Sequence, residues 1–149
     1  MRHRKRRGEL KVSSAHHRAM RRNLVASLFE HGRVTTTVAK AKAFKPFAEK
    51  LITLARKGNE RKAEETAEGR AAHLHAVRRA AQILPHKPAV RLLFGKVAPA
   101  AAERHGGYTR ILRLGTSRVG DNAPLAMLML VDEAKVEEES ESAEAAKKK

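Results

Sequence analysis

The first 22 residues of the chain concentrate side chains that can bind anions. They carry nine Lys and Arg and three His, against a single acid, Glu9. Because like charges at this density repel one another and add nothing to a hydrophobic core, a partner with dense negative charge is needed to hold them. The pattern predicts phosphate contacts from a basic arm, residues 1–13, and from the segment that follows it. The predicted contacts are Arg2, His3, Arg4, Lys5, Arg6, Arg7, Lys11, His16, His17, Arg18, Arg21 and Arg22.

A helix is predicted to join this arm to the rest of the chain. Ser13 or Ser14 can cap its first turn by accepting a hydrogen bond from a backbone N–H. On a helical wheel, the three arginines of this helix fall within about 100° of one another, on the face that carries Val25 and Phe29 one to two turns later. We therefore expect the first half of the helix to lie on a polyanion and the second half to be buried. A basic face that is simply solvated is the alternative.

The charge of the whole chain also favours a nucleic-acid partner. Residues 1–131 contain 28 Lys and Arg against nine Asp and Glu, a net charge of +19, and the sequence pI is about 11.0. A body this basic is typical of proteins that bind nucleic acid. Residues 132–149 carry seven acids against four lysines and too little apolar content to pack, so we expect a disordered tail. The tail could shield the basic body, or it could be a solvated end without a role.

Enzyme chemistry, metal binding and membrane insertion are not predicted. The chain has no Cys, which excludes disulfides and thiolate metal sites, and it has no P-loop, dinucleotide-binding or HExxH motif. His73 and His75 lie two residues apart, which places them on different sides of a helix. The pair His16 and His17 lies among arginines, which repel a metal cation, so we expect it to bind phosphate or stack on a base. The longest apolar run, residues 125–131, is too short to span a bilayer.

The hydrophobic periodicity predicts helices first and a hairpin last. After a C-cap at Gly32 and a short strand at residues 34–37, a helix capped by Thr36 or Thr37 should run to about Lys57 and end at residues 58–59, with Pro46 kinking it or starting a new segment. Lys40 and Lys42 should lie on its outer side as further cationic contacts. The next predicted helix, within residues 60–82, has an apolar stripe of Ala71, Leu74, Val77 and Ala81.

The last third of the chain changes from helical to strand periodicity. A helix that begins near Pro88 and buries Val90, Leu93, Phe94 and Val97 should stop at Pro99. Residues 108–114 and 125–131 then read as two strands joined by a turn-rich segment, and the second strand is apolar on both faces, which places it inside the sheet. The predicted fold class is α+β: residues 14–131 form one domain, in which about four helices pack on a small, mostly antiparallel sheet with a C-terminal hairpin.

Several stretches together resemble one known family. They are MRHRK at residues 1–5, SAHHRAMRRNLVASLFEHGRVTTTVAKAK at 14–42, PFAEKLITL at 46–54, KPAVRLLF at 87–94 and GGYTRILRLG at 106–115, followed by Arg118, Gly120, Asp121, Ala123 and Pro124. In this order they are similar to the L-seventeen family of bacterial large-subunit ribosomal proteins. Residues 59–83 and the tail do not carry the resemblance.

The resemblance implies a structural role in the cytoplasm. Such a protein binds large-subunit rRNA near the rim of the polypeptide exit tunnel, beside neighbouring large-subunit ribosomal proteins, as a single copy with no catalytic activity, cofactor or membrane contact. A DNA-compacting protein is the runner-up, because such proteins also place cationic arms on small folds. The sequence contains no zipper or recognition-helix pattern that would address a duplex groove.

The C-terminal hairpin is the second predicted RNA surface. Its predicted contacts are Tyr108, Arg110, Arg113 and Arg118. In the first strand, Tyr108 and Arg110 should lie near the RNA, whereas Leu112 and Leu114 should lie in the core. For Tyr108, a core position at the edge of the sheet and stacking on a base are both open.

Overall fold

The first helix is delimited by the caps that the sequence predicts. The computed structural model describes residues 10–131, and in it α1 spans Ser14–His31. Ser13 is the N-cap, and its Oγ accepts a hydrogen bond from the backbone N–H of His16 at 3.3 Å. Gly32 ends the helix in the left-handed region with φ 70°, and its N–H donates to Leu28 O, so the chain can turn directly into a strand.

The second helix is longer than predicted. After β1 (Arg33–Thr37), α2 runs over Val38–Ala63, and Pro46 lies inside it without starting a new segment. The predicted end at residues 58–59 is wrong, because both residues are used in packing. Gly58 is buried against the next helix, and Asn59 Nδ2 donates to Phe94 O at 2.9 Å. The glycine therefore marks a close approach between helices, and the helix continues through it.

The third helix turns a different face to the core than the sequence predicted. It forms α3 (Ala67–Ile83), capped by the Thr66 side chain, and it buries Gly69, Ala76 and Ala80. Of the predicted stripe only Val77 packs against the core; Leu74 is 47% exposed, and Ala71 and Ala81 are exposed as well, so the prediction is wrong at these three positions. The buried face is set by the fit to α2, since a Cβ added at Gly58 would lie 2.9 Å from Ala76 Cβ.

A continuous helical run then leads to the hairpin. It consists of α4 (Lys87–Leu92), a π-helical segment (Leu93–Val97) and α5 (Ala98–Ala100), so it ends one residue beyond Pro99. Pro88 lies in its first turn, as predicted. Val90, Leu93 and Val97 are buried and Phe94 is half-buried, so the predicted buried face is confirmed, although the π-helical turn at Leu93–Val97 departs from the 3.6-residue period.

The sheet has the last of the described strands at its centre. Within the described residues it contains three antiparallel strands in the order β1-β3-β2, where β2 is Thr109–Ser117 and β3 is Pro124–Leu130. The prediction that the apolar strand lies inside the sheet is confirmed, and the fold is α+β. Ala126, Leu128 and Leu130 of β3 are buried. The core that they join includes Phe29 of α1, Phe44 and Ile52 of α2, Leu84 and Leu93.

Candidate nucleic-acid interface

The predicted arm is described only at its end. Arg2, His3, Arg4, Lys5, Arg6 and Arg7 lie outside the described residues, so their contacts stay predictions. Lys11 is exposed and takes the left-handed conformation with φ 50°. Ser13 then starts α1, and the chain enters the helix directly from the basic segment.

The basic half of α1 packs on the phenylalanines of α2. The guanidinium carbon of Arg21 lies 4.1 Å from the centroid of the Phe47 ring, a cation–π contact. One turn earlier, the ring of His17 meets Phe44 edge-on, with centroids 5.2 Å apart and an interplanar angle of 68°. Arg18 and His16 are exposed, and Arg22 is half-buried. α2 thus positions His17 and Arg21, whereas Arg18 extends into solvent.

The second half of α1 enters the core, as predicted. Val25, Ala26, Leu28 and Phe29 are buried, and the change from cationic to apolar occurs within two turns. Because the lower half of the helix is fixed by the core, the arginines of the upper half are held on a rigid element. A preorganised cation loses less conformational freedom on binding than one on a free chain.

Two cations of α2, Lys45 and Arg56, form ion pairs within the helix, whereas its other cations have none among the described residues. Lys45 Nζ lies 3.7 Å from Glu49 Oε1, and Arg56 forms an ion pair with Glu60. The predicted contacts Lys40 and Lys42 have no ion pair among the described residues; Lys42 is exposed and Lys40 is half-buried. Lys40 and Lys42 thus keep their charge available for a phosphate, while Lys45 and Arg56 are paired within the helix.

The chain matches one family over most of the described domain. The family model "Ribosomal protein L17" matches residues 20–131. The chain belongs to the ribosomal protein L17 family. The resemblance noted from the sequence motifs is thereby confirmed, including stretches on α1, α2, α4 and the hairpin.

Curated relatives of this L17-family chain come from bacteria. Large ribosomal subunit protein bL17 of Geobacter sulfurreducens is 47% identical over 133 residues, which are 89% of this chain and 67% of the relative. The protein of the same name from Geobacter metallireducens is 45% identical over 148 residues, 98% of this chain and 75% of the relative. That from Geotalea daltonii is 45% identical over 133 residues, 89% of this chain and 65% of the relative.

The hairpin of the L17-family fold exposes two of its predicted contacts. Arg110 and Arg113 of β2 are exposed. Arg110 lies opposite Met129 of β3, which also pairs with Arg33 of β1, so Met129 has an arginine on each neighbouring strand. Adjacent strands are about 4.8 Å apart, so the two arginines start from backbone positions about 10 Å apart.

Two hairpin assignments are resolved by burial. Tyr108 is 3% exposed and belongs to the core. Its ring is therefore not open for stacking on a base, and the core position is the role that the structure shows. Leu112 is 44% exposed, so its predicted core position is wrong; Ile111 packs against the core in its place. Leu114 is half-buried. The register explains the exchange, because Ile111 lies opposite the buried Leu128, whereas Leu112 lies opposite Met127 on the other face.

Arg118 organises the hairpin turn. Its Nε donates to Asp121 Oδ1 at 2.9 Å, and its second guanidinium nitrogen pairs with Oδ2. Its backbone N–H donates to Ala123 O at 2.9 Å, and its carbonyl accepts from Asn122 N at 3.0 Å. The hydrogen bond from Arg118 lowers the pKa of Asp121 to about 2. Because the charge of Arg118 is balanced within the turn, it has less to offer a phosphate than Arg110 or Arg113.

The histidines of α3 have a packing role that the sequence did not indicate. His73 Nδ1 lies 3.2 Å from Gly58 O, and its ring meets Phe94 edge-on with centroids 5.5 Å apart. Within residues 10–131, no group of three or more His, Cys, Asp or Glu side chains could hold a metal ion. The same part of the chain contains no helix long and apolar enough to cross a membrane.

Proposed function

We propose that the chain is a structural component of the large subunit of the bacterial ribosome and binds large-subunit rRNA through phosphate contacts. Its membership of the ribosomal protein L17 family carries this proposal, and the curated relatives are named as large ribosomal subunit proteins. The proposed RNA contacts are the basic arm, the upper half of α1, the first turns of α2 and the arginines of β2. The protein works in the cytoplasm as part of the ribosome.

The distribution of charge supports phosphate as the ligand. Arg18, Lys42, Arg110 and Arg113 are exposed and have no carboxylate partner among the described residues. Cations in this state bind a polyanion without first giving up an ion pair, and they release condensed counterions from it. Arg21 is additionally held in place by Phe47, and all the α1 arginines lie on a helix whose second half is buried.

The proposed function also includes a position of the chain within the large subunit and a set of neighbours. One copy of the chain lies near the rim of the polypeptide exit tunnel and contacts neighbouring large-subunit ribosomal proteins as well as rRNA. The chain supplies no catalytic group, because its family is a structural class of ribosomal proteins. Family membership also weighs against the DNA-compacting alternative that composition alone leaves open.

Co-sedimentation tests the proposal directly. In lysates containing magnesium, the chain should sediment with large ribosomal subunits; sedimentation with the nucleoid would refute the ribosomal assignment. Binding to purified, protein-free large-subunit rRNA should weaken steeply with salt, and the slope of log affinity against log salt counts the phosphates neutralised.

Removal of residues 1–12 tests the role of the arm. This truncation deletes six Lys and Arg, so the salt slope should fall by roughly 4 to 5 if each contacts one phosphate. The domain should stay folded, because α1 keeps its Ser13 cap and its buried half. A control chain lacking residues 135–149 should keep the full slope and melting temperature. An arm truncation that retained both affinity and slope would show that the arm is not an anchor.

A further inference from the structure

The cations of α3 and α4 form a basic surface that is not included in the contacts described above. All five Lys and Arg side chains of these two helices are exposed: Arg70, Arg78 and Arg79 of α3, and Lys87 and Arg91 of α4. We call this set the α3–α4 basic face. α3 and α4 are consecutive in the chain and contact each other. The sequence indicates this surface by its composition, because residues 69–102 contain six Lys and Arg and no Asp or Glu.

The one acid of α3, Glu68, lies in the first turn of the helix ahead of Arg70, and α4 contains no acid. Elsewhere, acids pair with cations at helical or turn spacing, as Glu49 does with Lys45 and Asp121 with Arg118. No member of the α3–α4 basic face has an ion pair or hydrogen-bonded carboxylate among the described residues. The acid that approaches α4, Glu30 of α1, lies 2.7 Å from His86 Nδ1.

The arrangement of the face opposes folding stability. Lys87 and Arg91 are four residues apart on one helix, a spacing at which like charges destabilise the helix. Arg78 and Arg79 are adjacent, and no carboxylate offsets them. A surface whose charges repel one another without compensation within the protein is expected where an external anion supplies the compensation.

The exposed side of α3 carries a row of cations along the helix axis. Arg70, Leu74 and Arg78 follow one another at intervals of four residues, so they form one row along the helix, and Leu74 is 47% exposed in the middle of it. The two arginines of this row are about 12 Å apart along the axis. Arg79 lies about 100° around the helix from Arg78, so it broadens the row toward one side.

We propose that the α3–α4 basic face is a second rRNA-binding surface, which contacts the phosphate backbone of an RNA segment other than the one bound by α1 and the arm. The proposal rests on the function proposed above, and it assigns a role to the α3 segment, which has none of the family-like sequence motifs but lies within the residues that the family model matches. Phosphate is favoured over an acidic protein because residues 69–102 contain no acid and the cations of the face are exposed on two consecutive helices. The chain then links two RNA segments through one rigid core.

Charge removal at α3 tests this assignment against a matched control. The test variant carries Arg70→Gln, Arg78→Gln and Arg79→Gln, which keep a long side chain and helix propensity. The control variant carries Lys57→Gln, Arg61→Gln and Lys62→Gln, which remove the same charge from exposed positions near the end of α2. That segment is rich in acids, with Glu60, Glu64 and Glu65 close in sequence.

The measured quantity is binding of the full-length chain to protein-free large-subunit rRNA as a function of salt, with hydroxyl-radical footprinting of the RNA. The α3 variant should lower the salt slope by about 2 to 3, the value for three lost phosphate contacts, and the control should leave it unchanged. The footprint of the α3 variant should lose one protected RNA segment and keep the segment that depends on the arm.

Several outcomes would overturn the assignment. Equal slopes for the α3 variant and the control would refute it, as would a footprint that weakens uniformly. If the α3 variant binds RNA normally but is lost from assembled large subunits, the partner is an acidic protein. A second variant, Lys87→Gln with Arg91→Gln, tests the face independently should the α3 variant lose helicity, and it should lower the slope by about 1 to 2. Failure of the parent chain to bind rRNA would refute the proposed function itself.

Discussion

Replacing Gly58 by Ala tests the close contact on which the position of α3 depends. Gly58 is buried in α2, and a Cβ at this position would lie 2.9 Å from Ala76 Cβ and 3.4 Å from Phe94 Cε1. Real Cβ atoms essentially never approach as closely as 2.9 Å. The added methyl group must therefore push α2 and α3 apart, although alanine is the better helix former.

The two effects have opposite signs and can be weighed. The substitution gains about 1 kcal/mol of helix propensity. Overpacking a well-packed contact costs about 1 to 3 kcal/mol. We expect Gly58→Ala to lower the free energy of unfolding by roughly 1 kcal/mol, the overpacking cost less the propensity gain. Gly95→Ala is the control, because a Cβ there meets nothing within 4 Å.

Moving the methyl group across the contact should restore stability. Ala76→Gly alone should cost roughly 2 kcal/mol, from lost helix propensity and one lost buried methyl. In the double variant, Gly58→Ala with Ala76→Gly, the propensity terms cancel and the clash is removed. The singles together should cost about 3 kcal/mol and the double variant within about 1 kcal/mol of the parent, so the coupling is about 2 kcal/mol.

Urea denaturation followed by circular dichroism measures the free energy of unfolding of the parent and of all four variants. The reasoning fails if Gly58→Ala is as stabilising as Gly95→Ala, because the two helices would then not be in close contact at this position. It also fails if the effects of Gly58→Ala and Ala76→Gly are additive, since the contact would then involve another residue.

Two further predictions concern the interface. Because the pKa of Asp121 is lowered to about 2 in the folded turn, its ion pair with Arg118 should be complete above pH 3.8 and be lost as pH falls through about 2. The amide proton of Asn122 should report this in an NMR titration, and a midpoint near pH 3.8 would contradict the pairing. Phe47→Leu should lower the free energy of unfolding by about 0.5 to 1 kcal/mol through loss of the cation–π contact with Arg21. In an Arg21→Gln background the same substitution should cost less, and equal costs would show that the contact contributes nothing.

The sequence predicted those elements whose apolar residues follow one clear period. Val90, Leu93 and Val97 permit only one buried face on their helix, and the apolar run at β3 is compatible only with an interior strand. The caps at Ser13 and Gly32 were also predictable, because each residue offers the group or the conformation that a helix end requires.

The buried face of α3 could not be predicted, because alanine recurs at too many spacings. Ala71, Ala76, Ala80 and Ala81 allow more than one weakly apolar stripe, and the choice depends on where Gly58 lets α2 approach. Asn59 likewise looks like a helix end until Phe94 O, 35 residues away in sequence, is found as its partner.

The contacts predicted for the hairpin failed where they depended on register. Alternation along β2 separates Ile111 from Leu112, but it does not say which of the two faces the helices. That choice follows from pairing with β3, in which Ile111 lies opposite Leu128. The balance of charge at Arg118 could have been inferred from Asp121 three residues later, whereas the platform under Arg21 required knowledge of how α1 crosses α2.

The strand order makes the sheet depend on a strand that is synthesised after both of its neighbours. β1 and β2 do not pair with each other; each pairs with β3, which begins at Pro124. A nascent chain that stops short of β3 therefore has two strands with unpaired edges, and its core lacks the buried side chains Leu128 and Leu130. Because β1 and β3 are far apart in sequence, their pairing comes late in folding, and the three-stranded sheet can form only once β3 has been synthesised. Prematurely terminated chains should be recognised by proteases before they can compete with intact protein for a binding site.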